Sequence, residues 1–319
     1  MQISSLRVFL RMFSKLTIYI GVAGSIISLA ALLSRHHLIF DLLSHFRVQY
    51  IFLIAPVLLL SLCSKTHFAS GILLLCLAVH AITVTTSVAG GQTCTPDNQP
   101  VTRVMTSNLL ASSRSYDEFI AFIQSKDPDI IVFQEYTSKW HDALSTALVQ
   151  YRFKVTAPIE TPFGIALYSK LPISEKSELA LIRKDRPSIK ATIEIADKLL
   201  TVIGTHPPPP ISSALYNERN THLQKLATLA SISRNPTVVM GDLNITPWSA
   251  HFSELLKNGG LKSSRKGFGL FPTWPASLFV LQIPIDHILF SNSIYALSVG
   301  SGNKLQSDHK SLWADILIK

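Results

Sequence analysis

Three stretches near the start of the chain carry no Lys, Arg, Asp or Glu: Leu16 to Ser34, Val48 to Ser64, and Phe68 to Gly91. A helix needs about 17 to 25 apolar residues to cross a hydrocarbon core about 30 Å thick. An amphipathic helix on a soluble core would instead show a polar face every third or fourth residue. The runs therefore predict three transmembrane helices, over about 16–34, 48–64 and 68–90, in an anchor of residues 1–91. Arg7, Arg11 and Lys15 ahead of the first run also fit a cleaved signal peptide. Its uncharged stretch exceeds the usual apolar core of about 7 to 15 residues, however, and two more runs follow. His80 falls inside the third run, where an ionisable group is costly. It is expected to be neutral and to face a neighbouring helix, because the runs offer it no second ionisable residue as a partner.

Charge separates the two parts of the chain. Residues 1–91 hold six Lys or Arg against one Asp, and the remainder holds 23 against 19 acids. The later part is only mildly basic and lacks the dense Lys/Arg patterning of a dedicated nucleic-acid grip. Arg7, Arg11, Lys15 and Lys65 oppose Arg35 and Arg47 across the three runs. The bias predicts a multi-pass protein of the inner (cytoplasmic) membrane, with its N-terminus inside and residues 92–319 outside. Cys63 and Cys76 belong to the anchor, and Cys94 stands alone after it. The three offer neither zinc spacing nor a disulfide framework.

"GGQTCTPDNQP" (90–100) mixes Gly, Pro, Asn and Asp without periodicity, as a linker does. From 101 onward, short runs rich in Val, Ile and Thr read as strands: 103–110, 129–135, 164–169, 190–196, 199–206, 237–244, 285–291 and 312–318. Between them 116–126, 139–150, 216–233 and 248–257 carry apolar residues at helical spacing. Pro247, preceded by Thr246 as N-cap, is expected to start the last of these helices. Such a mixture implies two packed sheets with helices outside.

Polar residues gather where these strands end. Asn108, Glu135, His206, and Asp242 with Asn244 close strands; Asp286 and His287 open one; Asp308 and His309 precede the last. All are metal-ligand or acid/base residue types, and six coincidences in one domain point to a site. Within a strand Asp242 and Asn244, two residues apart, face the same side.

In chain order, "SNLL", "FQE", "THPPPP", "GDLNITPWS", "PIDHIL" and "SDHKSL" resemble the signature blocks of the endonuclease/exonuclease/phosphatase superfamily of metal-dependent phosphoesterases. With "GFGLFPTWP" and the apolar front, the chain looks like the bacterial membrane-anchored branch. The resemblance covers residues 101–319 and implies a four-layered α/β sandwich that hydrolyses a phosphodiester or phosphomonoester by in-line attack of water.

A phosphoester's anionic oxygens repel nucleophiles, so a hard, oxygen-bound cation, Mg²⁺ or Mn²⁺, suits such a site. Glu135 is the expected metal ligand, with Asn108 adding a neutral oxygen. Asp308 resembles the family carboxylate that completes the metal site. Asp242 would orient and partly deprotonate the attacking water, and Asn244 would donate to a phosphate oxygen. His309 resembles the histidine that contacts the scissile phosphate, where an imidazolium would offset developing charge, and Asp286 would orient it. His206 would donate to a phosphate oxygen.

His287 points away from Asp286 by strand alternation and reads as structural. His141, His222 and His251 are expected at the surface. The four prolines after His206 read equally as a rigid rim of the pocket or as a strand terminator. Trp274 is a candidate substrate contact, stacking on a base or packing on a lipid, or else an interface Trp without a ligand. The substrate stays open between a lipid head group, a small phosphoester and nucleic acid, a nuclease being one alternative. A non-catalytic membrane scaffold would have lost a metal carboxylate or the histidine, and both are present here.

Overall fold

The structure, a computed structural model, describes residues 2–91, 99–303 and 307–319. Most of the expected linker, including Cys94, lies outside the described residues. Two compact units emerge: Met1–Ser87 with Trp248–Ala250, and Val88–Pro247 with His251–Lys319.

The first unit is helical: α1 (Gln2–Ser28), a 3-10 turn (Leu29–Leu33), α2 (Leu38–Ser44), α3 (Arg47–Cys63) and α4 (His67–Val88). Val8–Leu33 and His67–Val88 are each long and apolar enough to cross a membrane. Helices α2 and α3 pass that test only as a pair, bent by 66° at the break between them. Outward-facing Phe9, Phe13, Ile20, Phe52, Leu53 and Leu74 are exposed, while Ile54, Leu73 and Cys76 form a small core. His80 does have an ionisable neighbour, against expectation. Its Nδ1 lies 3.3 Å from Arg47 Nη1, and its Nε2 lies 2.8 Å from Ser28 Oγ. Arg47 sits in the first turn of α3, one residue ahead of the uncharged run, and is buried there, its Nη2 donating to Ala31 O at 3.2 Å.

The second unit holds two six-stranded sheets. In chain order its elements are β1 (Thr102–Asn108), α5 (Tyr116–Lys126), β2 (Ile130–Gln134), α6 (Ser138–Ala147), β3 (Phe153–Ala157), β4 (Ile165–Ser169), β5 (Ile173–Leu179), β6 (Ser188–Ile195), β7 (Lys198–Gly204), α7 (Ser213–Ser231), β8 (Thr237–Asp242), α8 (Ala250–Gly259), β9 (Leu261–Ser263), a 3-10 turn (Phe279–Leu281), β10 (Asp286–Ser291), β11 (Ile294–Ser301) and β12 (Leu312–Ile318). One sheet runs β11-β12-β1-β2-β4-β3 and the other β5-β6-β7-β8-β10-β9. Each contains one parallel pair, β1 with β2 and β7 with β8, and is otherwise antiparallel.

The layering follows from side-chain alternation. Val104, Ile130, Val132 and Leu167 of the first sheet meet Ala191, Val202, Val238, Met240 and Ile288 of the second in a central core. The opposite faces are apolar too, so the central strands read as continuous apolar runs. Met105, Ile131 and Phe133 pack under Phe119, Ile123, Trp140 and Leu144 of α5 and α6. Ile203, Val239 and Leu289 pack under Leu223, Leu226, Phe252 and Leu255 of α7 and α8. The result is the four-layered sandwich implied by the resemblance. Thr137 caps α6 and Ser212 caps α7, each side chain accepting a backbone N–H three residues on.

Helix α8 begins at Ala250, so Thr246 is not its N-cap. Asn244 is left-handed at φ 51°, and its N–H donates to Asp242 Oδ1 at 2.9 Å. That side-chain turn redirects the chain before a helix can start.

Candidate active site

The residues at the ends of the inner strands converge. Strands β8 and β10 are antiparallel neighbours in a register that sets Asp242 opposite Asp286. His309, on the turn before β12, reaches both: Nδ1 is 2.8 Å from Asp286 Oδ2 and Nε2 is 3.6 Å from Asp242 Oδ2. His206 Nε2 approaches the same Asp242 oxygen at 3.4 Å. All four side chains are buried.

The other sheet supplies the facing wall. Asn108 ends β1, and its Nδ2 donates to Glu135 Oε1 at 3.1 Å and to Asp242 Oδ2 at 3.3 Å. Glu135, half-buried just past β2, accepts from Ala111 N at 2.8 Å through its other oxygen. The amide oxygen of Asn108 accepts from Leu110 N at 3.0 Å. Asn108 thus orients the Glu135 carboxylate, and only a second lone pair on its own oxygen remains for a cation. Ser307 Oγ donates to Asn108 O at 2.8 Å, and Ser107 meets Ser311 at 2.8 Å, which pins the His309 turn to the end of β1.

Local backbone geometry is part of the arrangement. Glu135 and Asn244 both adopt left-handed φ, at 56° and 51°, a conformation costing of order 1 kcal/mol or more for a residue with a Cβ. Gly241 precedes Asp242 because a Cβ there would collide with the Thr205 carbonyl oxygen. Asn244 Nδ2 donates to Pro207 O at 3.0 Å, and Arg219 Nη1 donates to Asn244 O at 2.9 Å. Asn244 therefore lies beyond β8, and the side-chain turn onto Asp242, not strand alternation, keeps the two together.

Electrostatics separates the histidines into two kinds. Burial disfavours a charged His309, but Asp286 and Asp242 outweigh it and push the imidazole up to about 10. His206 is likewise raised: burial opposes its charge, and the Asp242 carboxylate more than compensates. Asp242 is held below the usual carboxylate range, the cost of its burial being exceeded by His309 and His206. His287 is the reverse case, brought down to about 3 by burial and by Arg265. Its Nε2 donates to Ile245 O at 2.8 Å and its Nδ1 accepts from Arg265 Nη1 at 3.3 Å, which is the hydrogen-bond pattern of a neutral ring. The structural reading of His287 fits this geometry.

The remaining histidines differ from expectation. His222 is buried, not at the surface, and shares a 2.7 Å hydrogen bond with Thr205 Oγ1, while burial lowers it to about 3. It lies on the inward face of α7 with Tyr216, Arg219, Leu223 and Leu226. His251 is half-buried and bonded to Tyr216 OH at 2.9 Å; His141 is half-buried and bonded to Tyr136 OH at 3.1 Å. Pro207, Pro208 and Pro210 are buried, and the Pro207 carbonyl accepts from Asn244. Trp274 donates Nε1–H to Asp308 Oδ2 at 3.1 Å, and its ring centroid is 6.4 Å from that of His309.

Besides Arg47, sequence reasoning misses two more buried arginines. Arg265 is fully buried and donates to the carbonyls of Leu270, Phe271 and Asp286 at 2.6, 3.2 and 2.8 Å, clamping the loop before β10. Arg219 supports Asn244, and its place in the i, i+3, i+4 pattern of Tyr216, Asn220 and Leu223 was the available signal. Arg265 follows a three-residue strand and gave none.

The donor set suits a hard cation. Among the described residues Asp286 Oδ1 and Asp308 Oδ1 are buried without a hydrogen-bond partner, and Glu135 is a carboxylate held by backbone and amide donors. Ligand atoms of Asp242, Asp286 and His309 also lie within 4.8 Å of one another. With His309 raised to about 10, both of its ring nitrogens carry protons at neutral pH, and the trio is then an acid–base unit, because imidazolium has no lone pair for a metal.

Fold and site together define an α/β sandwich protein with buried carboxylates and imidazoles meeting at one end of its central strands. Residues 105–309 match the Endonuclease/Exonuclease/phosphatase family, and the chain belongs to it. Members of this family hydrolyse phosphoesters. Among solved structures, the chain is similar to D. rerio TDP2 complexed with single strand DNA product, at 12% identity over 68% of this chain and 99% of that one, with TM-score 0.57. It is similar to an endonuclease/exonuclease/phosphatase from Beutenbergia cavernae, at 18% identity over 68% and 72% of the two chains, with TM-score 0.57. It is also similar to the human Nocturnin catalytic domain with bound sulfate anion, at 20% identity over 69% and 94%, with TM-score 0.55. No curated protein matches the chain by sequence at a significant level.

Proposed function

We propose that the chain is a membrane-anchored, divalent-metal-dependent phosphoester hydrolase, with residues 1–91 as anchor, 92–100 as linker and 101–319 as catalytic domain. The observation that carries this reading is the pairing of Asp242 and Asp286 across β8 and β10, with His309 hydrogen-bonded to Asp286 and 3.6 Å from Asp242. Asp242 orients the attacking water and accepts its proton. His309, held as imidazolium by Asp286, donates to the scissile phosphate, and His206 and Asn244 donate to its other oxygens. Glu135, Asn108 and Asp308 would hold Mg²⁺ or Mn²⁺, which when bound neutralises charge on the phosphate oxygens. Trp274 lies beside Asp308 and His309, where a substrate group can pack on it.

The anchor reading rests on the apolar helices and their outward-facing apolar side chains. Burial of Arg47 inside α3 removes it from the charges of the first loop, which strengthens the bias toward an inner-membrane protein with its catalytic domain outside the cytoplasm. A nuclease is the second reading, favoured by the single strand DNA product bound to the similar D. rerio protein. Purified full-length protein with Mg²⁺ should hydrolyse at least one of bis(p-nitrophenyl) phosphate, vesicle phospholipids, single-stranded DNA and RNA. Hydrolysis of DNA or RNA alone would select the nuclease, and turnover of none of them would overturn the assignment.

A further inference from the structure

Trp274 and Ile283 pair backbone to backbone, Ile283 N donating at 2.6 Å and Trp274 N at 3.1 Å, and so close a loop of residues 275–282. The loop is built rigidly at its base. Gln282 Nε2 donates to Ala276 O, and Lys310 Nζ donates to Gln282 Oε1, both at 3.0 Å. Its tip is apolar and open to solvent: Leu278 is 52% exposed, Phe279 83%, Val280 73% and Leu281 45%. Among the described residues of the second unit, other exposed large apolar side chains occur singly along the chain, as at Val149, Ile211 and Ile232. Scattered apolar residues need no explanation, but a contiguous projecting set marks an interaction surface.

Three observations favour a bilayer over another protein. First, four side chains on one turn fall short of the roughly 800 Å² that each partner typically contributes to a specific protein interface. Second, residues 255–285 contain Lys257, Lys262, Arg265 and Lys266 and no Asp or Glu. Lys310, whose Nζ reaches Gln282 at the base of the loop, adds the cation that complements anionic lipid there, whereas Lys262 lies at the other end of β10, opposite Phe290. Third, residues 89–101 separate α4 from β1, and about 13 residues span at most roughly 45 Å. A membrane-spanning α4 would therefore keep the domain at a high effective concentration beside the bilayer.

We propose that loop 275–282 is a membrane-docking tip, with Leu278, Phe279, Val280 and Leu281 entering the interface of an anionic bilayer. This rests on the membrane-anchored reading above. Docking there would set Trp274 and its partner Asp308 at the level of lipid head groups, so that phosphoesters at the membrane surface have the shortest route to the site.

The test uses the full chain with Cys63, Cys76 and Cys94 replaced by Ser, and Phe279→Cys carrying an environment-sensitive nitrobenzoxadiazole label. It is reconstituted into vesicles of phosphatidylcholine and phosphatidylglycerol. The expected result is blue-shifted emission that spin-labelled lipid quenches and aqueous iodide does not, with Val280→Cys behaving alike and Ile232→Cys remaining open to iodide. Quenching by iodide alone at 279 and 280 would overturn the proposal, as would protection from both quenchers, which signals contact with protein. Turnover of bis(p-nitrophenyl) phosphate by the same samples reports separately on the catalytic reading. Lipid quenching without turnover would uphold the tip and sink the hydrolase, whereas failure of the chain to float with vesicles would sink the anchor.

Discussion

Asp242 and Asp286 face each other across antiparallel β8 and β10, and one imidazole, His309, is bonded to Asp286 at 2.8 Å while lying 3.6 Å from Asp242. Two buried carboxylates so close together need a positive charge between them, and His309, raised to about 10, supplies it at neutral pH.

Asp286→Asn removes the stronger of the two carboxylate influences on His309. A pKa raised in the folded enzyme means that the charged form persists until pH climbs through it, so activity that needs imidazolium falls on the alkaline side. In the variant that limb should move to lower pH, and kcat should fall by about a hundredfold. A pH–rate profile makes the comparison, and an unmoved alkaline limb would count against the assigned role.

Asp242 and His309 are expected to act as one unit. Each of Asp242→Asn and His309→Ala should cost about a hundredfold or more, and the double variant little more than the worse single one. Single-turnover rates for the four proteins give the answer. Multiplication of the two defects would mean independent roles.

His222 and His287 should make the fold acid-sensitive. Both are held near 3 by burial, whereas an unfolded histidine titrates near about 6.5. Above that value neither state is protonated and the full stability is present. As pH falls toward 3 the unfolded chain gains protons that the folded one refuses, so stability declines. Urea unfolding at pH 7 and pH 5 should show the loss, and His222→Gln should reduce it.

Arg265→Met should destabilise the domain by about 3 kcal/mol, since three buried carbonyls lose their charged donor. Arg265→Lys should rescue little of this, because an ammonium lacks the planar fork that reaches all three. Thermal melts that leave the Lys variant at the parent Tm would show that charge alone suffices.

The strands expected from sequence are the eight inner ones, and the four that escaped notice, β3, β5, β9 and β11, are the four sheet edges. The reason is physical. Inner strands are buried on both faces and advertise themselves as apolar runs. Edge strand β5, "ISEKSEL", is charged and mostly exposed, β11 carries a register shift between Ala296 and Ser298, and β9 has three residues. Natural edges are blunted by such charges and irregularities. Convergence of the strand-end residues was legible because Asn108, Glu135, His206 and Asp242 follow those inner runs. The buried Arg265 was not, since its partners are carbonyl oxygens, which leave no mark on residue type. The burial of His222 was hidden because a helix face that mixes Arg219, Asn220 and His222 with Leu223 reads as polar.

The most direct test of the central claim is turnover of bis(p-nitrophenyl) phosphate by the full chain under divalent-metal control, with Glu135→Gln beside it. Activity should vanish in excess EDTA, return with Mg²⁺ or Mn²⁺, and drop by about a hundredfold or more in the Gln variant at saturating metal. Full activity in EDTA, or a Glu135→Gln protein as fast as the parent, would contradict it.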